Sequence, residues 1–579
     1  MRRITRLITV VAVVGMAMGT LAATAGTAGA ASTTKSGGTL TMALDENLAG
    51  FNINTSAANE FVLQEILDVV WPQPYIINSG LKPVLNKQLL SSVKVATNPE
   101  TITYNLNPKA VWQDGTPINA DDFIYNWQAQ SGNSQYTDLG NQPYDSASTT
   151  GYNQIASVTG SNPPNGAACA PGSTADRNLG LCPNGTTVTV KYSSNFADWQ
   201  SLFTNLVPAH IARTVGWNTG FSGASETISG SWYSIQSYND NQSVVLVRNP
   251  KYWGTPGTLN KIVFQFFSDD TQEVPALQNG EVQLINPATI STSIVQSAAQ
   301  VPDTTKVTVP GLEFEHLDFN QADPYLAKLP VRQAIAYGTN RPEIISHTVG
   351  EVSPGIKPLG NRMFATTQPQ YVNDGSQYAA VNVSKAESLL TGLGFKKVGG
   401  YFQPNYGPQK GQPLTFTIQS TSGNSIRAET EQLFQANMKA IGIKIEIQNY
   451  DANTFFGTNL PDGTYQIAEF AWVPTPFASA NQSIYCSYTN AANCGQNWIH
   501  YANPKVDQLM KSGVQATSLA TEAADFNAAD KILWSDMATL PLYNKPQYFA
   551  WSSKYANLIP NTSDVGIPWN ANLWGVKSS

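Results

Sequence analysis

The groups in this sequence that could do chemistry are four histidines, four cysteines and scattered carboxylates. His210, His316, His347 and His500 stand far apart, and nothing local supplies any of them with a catalytic partner. The densest cluster is Glu313-Phe314-Glu315-His316, two carboxylates beside an imidazole. On a strand, Glu313 and Glu315 share one face and His316 points to the other, which weakens the histidine as a catalytic group. No G-x-S-x-G, H-E-x-x-H, phosphate-binding loop or dinucleotide glycine fingerprint is present. Glycosidase-type acid pairs have no short motif, so an enzyme built on dispersed carboxylates stays open. The cysteines lack C-x-x-C spacing and a nearby histidine pair, so neither a metal site nor a cofactor is expected.

The cysteines are read through the first thirty residues. Arg2, Arg3 and Arg6 precede an apolar run over residues 7–19, too short to span a bilayer comfortably. Ala28-Gly29-Ala30 then offers a cleavage signature, so residues 1–30 are expected to be a signal peptide and 31–38 a flexible leader. No cysteine near the cleavage site could accept a lipid. The mature chain is therefore expected to be periplasmic, cell-surface or extracellular. In an oxidising compartment, Cys169 with Cys182 and Cys486 with Cys494 form the simplest local staples, though four cysteines allow three connectivities. Each short loop closed in this way would stabilise by at most about 2–3 kcal/mol.

The elements that must position any site read as α/β. Strands are expected over residues 38–44, 101–106, 186–192, 243–248 and 261–267. Helices are expected over 59–70, with Asn59 as N-cap, and over 120–129, 329–338, 341–349, 384–393 and 523–537. The order 414–419 strand, 426–441 helix, 442–450 strand suggests a βαβ unit. Residues 130–185 read as a long decorated loop region, and 541–551 as an aromatic strand. The 579 residues suggest two to four domains. Only 13% are charged, against about 25% in an average soluble protein, and the net charge is −7. That balance argues against a nucleic-acid partner, which needs Lys and Arg to displace phosphate counterions.

Several segments run in order through nearly the whole mature chain: YNLNPKAVWQDGTPINADDFIYNW at 104–127; VVLVRNPKYWG, LNKIVFQFF and ALQNGE between 243 and 281; Asp318-Phe319-Asn320 with VRQAIAY at 331–337 and Asn340-Arg341; AIGIKI at 440–445; and Pro568-Trp569-Asn570. Together they resemble the peptide/nickel family, family 5, of extracellular solute-binding proteins of ABC importers. These residues make turns and bends, and Arg332 and Arg341 are read as holding helices and loops together. The resemblance implies a bilobal periplasmic-binding-protein-like fold. Lobe one would comprise 39–76, 186–294 and 541–579, with a subdomain at 77–185 inserted in it, and lobe two would run over 295–540.

The function implied is that of a non-enzymatic, monomeric receptor. It would capture a ligand, foremost an oligopeptide, between the lobes and deliver it to membrane-embedded ABC permease subunits. An oligosaccharide or other neutral solute on the same scaffold is the alternative, as is an envelope regulator without a transport role. Peptide-binding members often carry W-x-x-D, whose Asp holds the peptide's amine. Here Trp472 is followed by Val473-Pro474-Thr475, and a neutral hydroxyl cannot replace a carboxylate opposite a desolvated ammonium. Glu469, the nearby carboxylate, would face away from Trp472 on a strand. The segment from Phe470 to Trp498 is expected to line the cleft, with Trp472, Thr475, Asn481 and Tyr485 as contacts. Asn59, Glu60 and Phe61 at the start of the first helix are the candidates from the opposing lobe.

Overall fold

The computed structural model of the chain describes residues 33–44, 47–56, 58–163, 167–168, 182–267, 269–287, 290–451, 454–488 and 495–578. The expected signal peptide, Cys169 and Cys494 lie outside them. Cys182 and Cys486 are each disulfide-bonded.

A ten-stranded mixed sheet runs through the molecule. At one end Thr39–Leu44 pairs in parallel with Lys261–Phe266, which continues antiparallel to Ser243–Arg248 and Tyr233–Asn239. At the other end Thr415–Gln419, the helix Ser425–Ala440 and Lys444–Ile447 make the expected βαβ unit, with its strands parallel. The helix starts where the Asn424 side chain accepts from the Arg427 N–H. It ends before Gly442, whose φ of 82° turns the chain into the next strand. Two long antiparallel strands, Thr304–Phe319 and Thr539–Ser552, join these ends. Phe314 to Phe319 also pairs with Ile467–Trp472.

The joint between the halves is built into these two strands. Their register shifts between Pro310 and Phe314, where Pro310 faces Pro546 and neither can donate to the ladder. Gly311 fits there because a Cβ would stand 2.4 Å from the Lys545 carbonyl oxygen. Lys545 Nζ lies 2.9 Å from Glu313, and Arg427 lies 3.2 Å from Glu315, so one face of the joint is tied by charge. His316 sits on the other face, 3.1 Å from Asp318 and against Phe470, as strand alternation requires.

The inserted subdomain is a four-stranded antiparallel sheet in the order Leu90–Thr97, Glu100–Leu106, Thr187–Tyr192, Ile155–Ser161. Thr187–Tyr192 therefore belongs to this sheet and not to lobe one. The expected boundary at 185 fell before a strand that completes the subdomain. The loop region expected over 130–185 likewise contains the strand Ile155–Ser161. The helix Ala120–Gln130 packs on this sheet, started by a capping box of Asn119 and Asp122. Thr34–Lys35, within the expected leader, pairs with Gly575–Lys577.

Arg332 and Arg341 are buried and donate to backbone carbonyls. Arg332 reaches Met537, Leu326 and Asp536 at 2.6–2.9 Å. Arg341 reaches Leu359, Pro541 and Tyr378 at 2.7–3.1 Å. The structural reading of these two residues holds, because each guanidinium ties together backbone carbonyls from separate segments of the chain.

Candidate functional site

A cavity of about 240 Å³ opens where three parts of the chain meet. Ile53, Asn54, Asn59, Gln64 and Gln73 line it from the first helix and its flanks. The inserted subdomain contributes Gln130, Ser148, Thr150 and Tyr152, and the segment that follows it contributes Phe196 and Asn205. Thr475, Phe477, Ser479 and Ala480 enter from the other half, and Asp564 and Val565 from the C-terminal tail. Most of these residues carry an amide or hydroxyl, while apolar atoms make up the larger share of the exposed wall. A few fixed polar groups amid apolar surface is the usual make-up of a small-molecule site.

The first helix spans Phe61–Leu67, shorter than expected, with Glu60 rather than Asn59 in the N-cap position. The Asn59 amide donates to the Ile53 carbonyl at 3.0 Å, which pins its side chain at the cavity rim. Glu60 instead accepts from the Ala49 N–H at 3.2 Å, and partial burial raises its pKa. Inside, a chain of amides is fixed by one buried carboxylate. Gln64 and Gln73 donate to Asp68 Oδ1 at 2.6 and 3.4 Å, and Asn205 donates to Gln64 Oε1 at 2.8 Å. Burial, with Asp564 nearby, pushes the Asp68 pKa well up. Burial likewise raises Asp564, to about 6, against the pull of the backbone amides of Asp564 and Val565.

The residues expected from the segment 470–498 separate. Thr475 lines the cavity, and its Oγ1 is engaged by the N–H and carbonyl of Phe477 in a local turn. Trp472 is half-buried in an aromatic cluster, stacked on Trp498 at 5.2 Å and edge-on to Phe470 at 5.2 Å. Tyr485 is fully buried in the core, and Asn481 donates to the Ala478 carbonyl at 3.1 Å. Glu469 is fully buried, its pKa raised by burial and then by Glu315 and Glu431. Trp472, Asn481, Tyr485, Glu60 and Phe61 are not among the described residues lining the cavity. Asp564, Asn205 and Gln64 had no sequence signal, because they come together only through the tail's return to the first helix.

Below the cavity the halves meet directly. The Ala197 N–H donates to the Val514 carbonyl at 2.9 Å, and Asp198 accepts from the Ser479 N–H at 3.0 Å. Asp198 also hydrogen-bonds the carboxyl of Glu522, on the helix Leu519–Ser535. Burial first, then Asp198, pushes the Glu522 pKa up to about 9. A buried carboxyl pair is held together by a shared proton. No group of three or more His, Cys, Asp or Glu among the described residues could hold a metal ion. No described helix is long and apolar enough to cross a membrane.

Comparison with known proteins gives this geometry its class. The oligopeptide-binding protein OppA of Mycobacterium tuberculosis is 26% identical over 533 residues, covering 91% of this chain and 83% of that protein. Among solved structures, a periplasmic EDTA-binding protein, EppA, superposes with a TM-score of 0.83 at 23% identity, covering 95% of this chain and 98% of its own. The oligopeptide-binding protein AppA of Bacillus subtilis, solved with a nonapeptide, gives 0.76 at 16% identity, with 94% and 100% covered. These likenesses show the bilobal fold of periplasmic binding proteins. The family description that matches residues 84–493 is that of the bacterial extracellular solute-binding proteins, family 5. The chain belongs to that family, the solute-binding receptors of ABC importers.

Proposed function

We propose that the chain is a non-enzymatic receptor, acting outside the cytoplasmic membrane, that captures a peptide between its lobes and presents it to an ABC permease. The observation that carries this reading is the shared wall of the cavity. Asn59 and Gln64 of one half face Thr475 and Ser479 of the other, so a ligand held there rewards closure by touching both. Its backbone amides would find partners among Asn54, Gln73, Gln130 and Thr150. The curated relative named for oligopeptides, matched over most of both chains, supports the ligand class.

The neutral amides and hydroxyls also favour a second reading, a receptor for an oligosaccharide or other neutral solute. Against it, the described lining carries no Trp to stack on a sugar ring. Mass spectrometry of protein purified gently and then denatured separates the two. Peptides released in near-stoichiometric amount are the expected result. Release of glycans with no peptide would overturn the peptide reading.

A further inference from the structure

We infer that the cavity is a cation subsite, in which Asp564 and the side-chain oxygen of Asn205, both in its lining, receive a ligand's ammonium or guanidinium group. This deepens the receptor reading and rests on it. Three observations lead there. The Asp564 Oδ1 atom is shielded from solvent and has no hydrogen-bond partner, although its residue lines the cavity and the backbone amides of Asp564 and Val565 act on the carboxyl group. Asn205 lines the cavity too, is 3% exposed, and leaves its Oδ1 equally without a partner. Finally, no Lys, Arg or His occurs among the described lining residues.

The orientation of Asn205 follows from chemistry. Asp68 Oδ1 takes the Gln64 NH₂ group, so Gln64 turns its oxygen toward Asn205. Asn205 must then offer its own NH₂ to that oxygen, which leaves Oδ1 as its free end. Burial favours the protonated form of Asp68 behind this relay, so its unpartnered Oδ2 adds no charge. The two unmet groups of the cavity lining, Asp564 Oδ1 and Asn205 Oδ1, are both acceptors, and one is a carboxylate oxygen. A buried acceptor without a donor is costly, and a buried carboxylate without a counter-charge more so. A ligand that brings N–H donors and positive charge removes both costs. A neutral hydroxyl removes only the first, and an anion worsens the second. The carboxylate absent at Thr475 is thus supplied from the C-terminal tail.

The test is titration calorimetry of the full mature protein and of Asp564→Asn with four probes. These are trialanine, N-acetyl-trialanine amide, spermidine and maltotriose. The inference expects trialanine or spermidine to bind wild type, with affinity at least tenfold weaker in D564N. It expects N-acetyl-trialanine amide to bind at least tenfold more weakly than trialanine. Should D564N fail to fold, judged by circular dichroism, the probe pairs on wild type still decide. Equal affinity for the free and acetylated peptides would overturn the cation subsite while leaving the peptide reading standing. Binding of spermidine without either peptide would keep the subsite and remove the peptide. Absence of heat with both cationic probes at millimolar concentration would overturn the subsite as well.

Discussion

Trp472 shows at the scale of one residue how a ligand candidate and a packing residue differ. Its indole stacks on Trp498 and meets Phe470 edge-on, so its removal opens a gap among rings. Trp472→Ala is expected to cost about 2 kcal/mol in urea denaturation, below the 3–5 kcal/mol typical of a fully buried aromatic. Affinity for any bound peptide should stay within about twofold. A tenfold loss of affinity with unchanged stability would put the indole on the ligand instead. Arg362 is a sharper case. It is fully buried, 3.0 Å from Asp530, donates to the Thr539 hydroxyl at 2.9 Å, and lies 4.3 Å over the Trp534 ring. Arg362→Ala would strand Asp530 without a counter-charge and should cost about 3–5 kcal/mol. A melting temperature unchanged from wild type would contradict that. Of the site, Asn59 and Thr475 were legible because each lies beside a readable element. Asp564 was not, because Asn561-Thr562-Ser563-Asp564 reads as an ordinary polar turn until the tail is seen to pass the first helix.

Elements were most legible where periodicity and punctuation agreed. The helix Ala120–Gln130 has two Asp in its first turn, and the βαβ unit follows the order strand, helix, strand that its hydrophobic pattern predicts; the Asn119 cap and the turn at Gly442 are seen in the structure. The strand Thr304–Phe319 was not legible as one element. Pro310-Gly311 sits in its middle, and only the opposing Pro546 shows that both strands give up the ladder at the same level. That shared interruption makes Gly311 testable. A methyl there collides with the Lys545 carbonyl, so Gly311→Ala is expected to destabilise by about 1–3 kcal/mol through overpacking. The change is read as a lower midpoint in denaturant with an unchanged slope. Stability equal to wild type would mean that the two strands part freely at this point. Thr187–Tyr192 alternates as a strand does, but alternation does not name a partner, and the strand joins the sheet of the inserted subdomain instead of lobe one.

Across the whole molecule the proton shared by Asp198 and Glu522 couples the two halves to pH. Both carboxyls have folded pKa values above their unfolded ones, with Glu522 near 9. Between about 4.5 and 9 the folded state therefore holds a proton that the unfolded state has released. This contribution is complete below the unfolded pKa and is lost as pH rises through the folded one. Buried Asp68, Asp122, Glu431 and Asp564 shift in the same direction. Glu315, held down by Arg427 and Lys545 against its burial, opposes them. The burial of these carboxyls gives the pH dependence of stability its sign. The melting temperature should be higher at pH 5 than at pH 8.5, and Glu522→Gln, which keeps a donor without a titration, should flatten that slope. A melting temperature that rises from pH 5 to pH 8.5 would contradict the assignment. The fold class was legible from family segments spread along the chain. The ligand was not, because those segments build the scaffold, whereas the cavity wall is assembled from single residues of separate bodies. Capture of a peptide between the lobes is tested most directly by calorimetric titration of the mature protein with a free-amine peptide panel beside a glycan panel. Saturable binding of one peptide per chain with a negative heat-capacity change is expected, as surface from both lobes is buried. Binding confined to glycans, or the absence of saturable heat with every peptide, would contradict it.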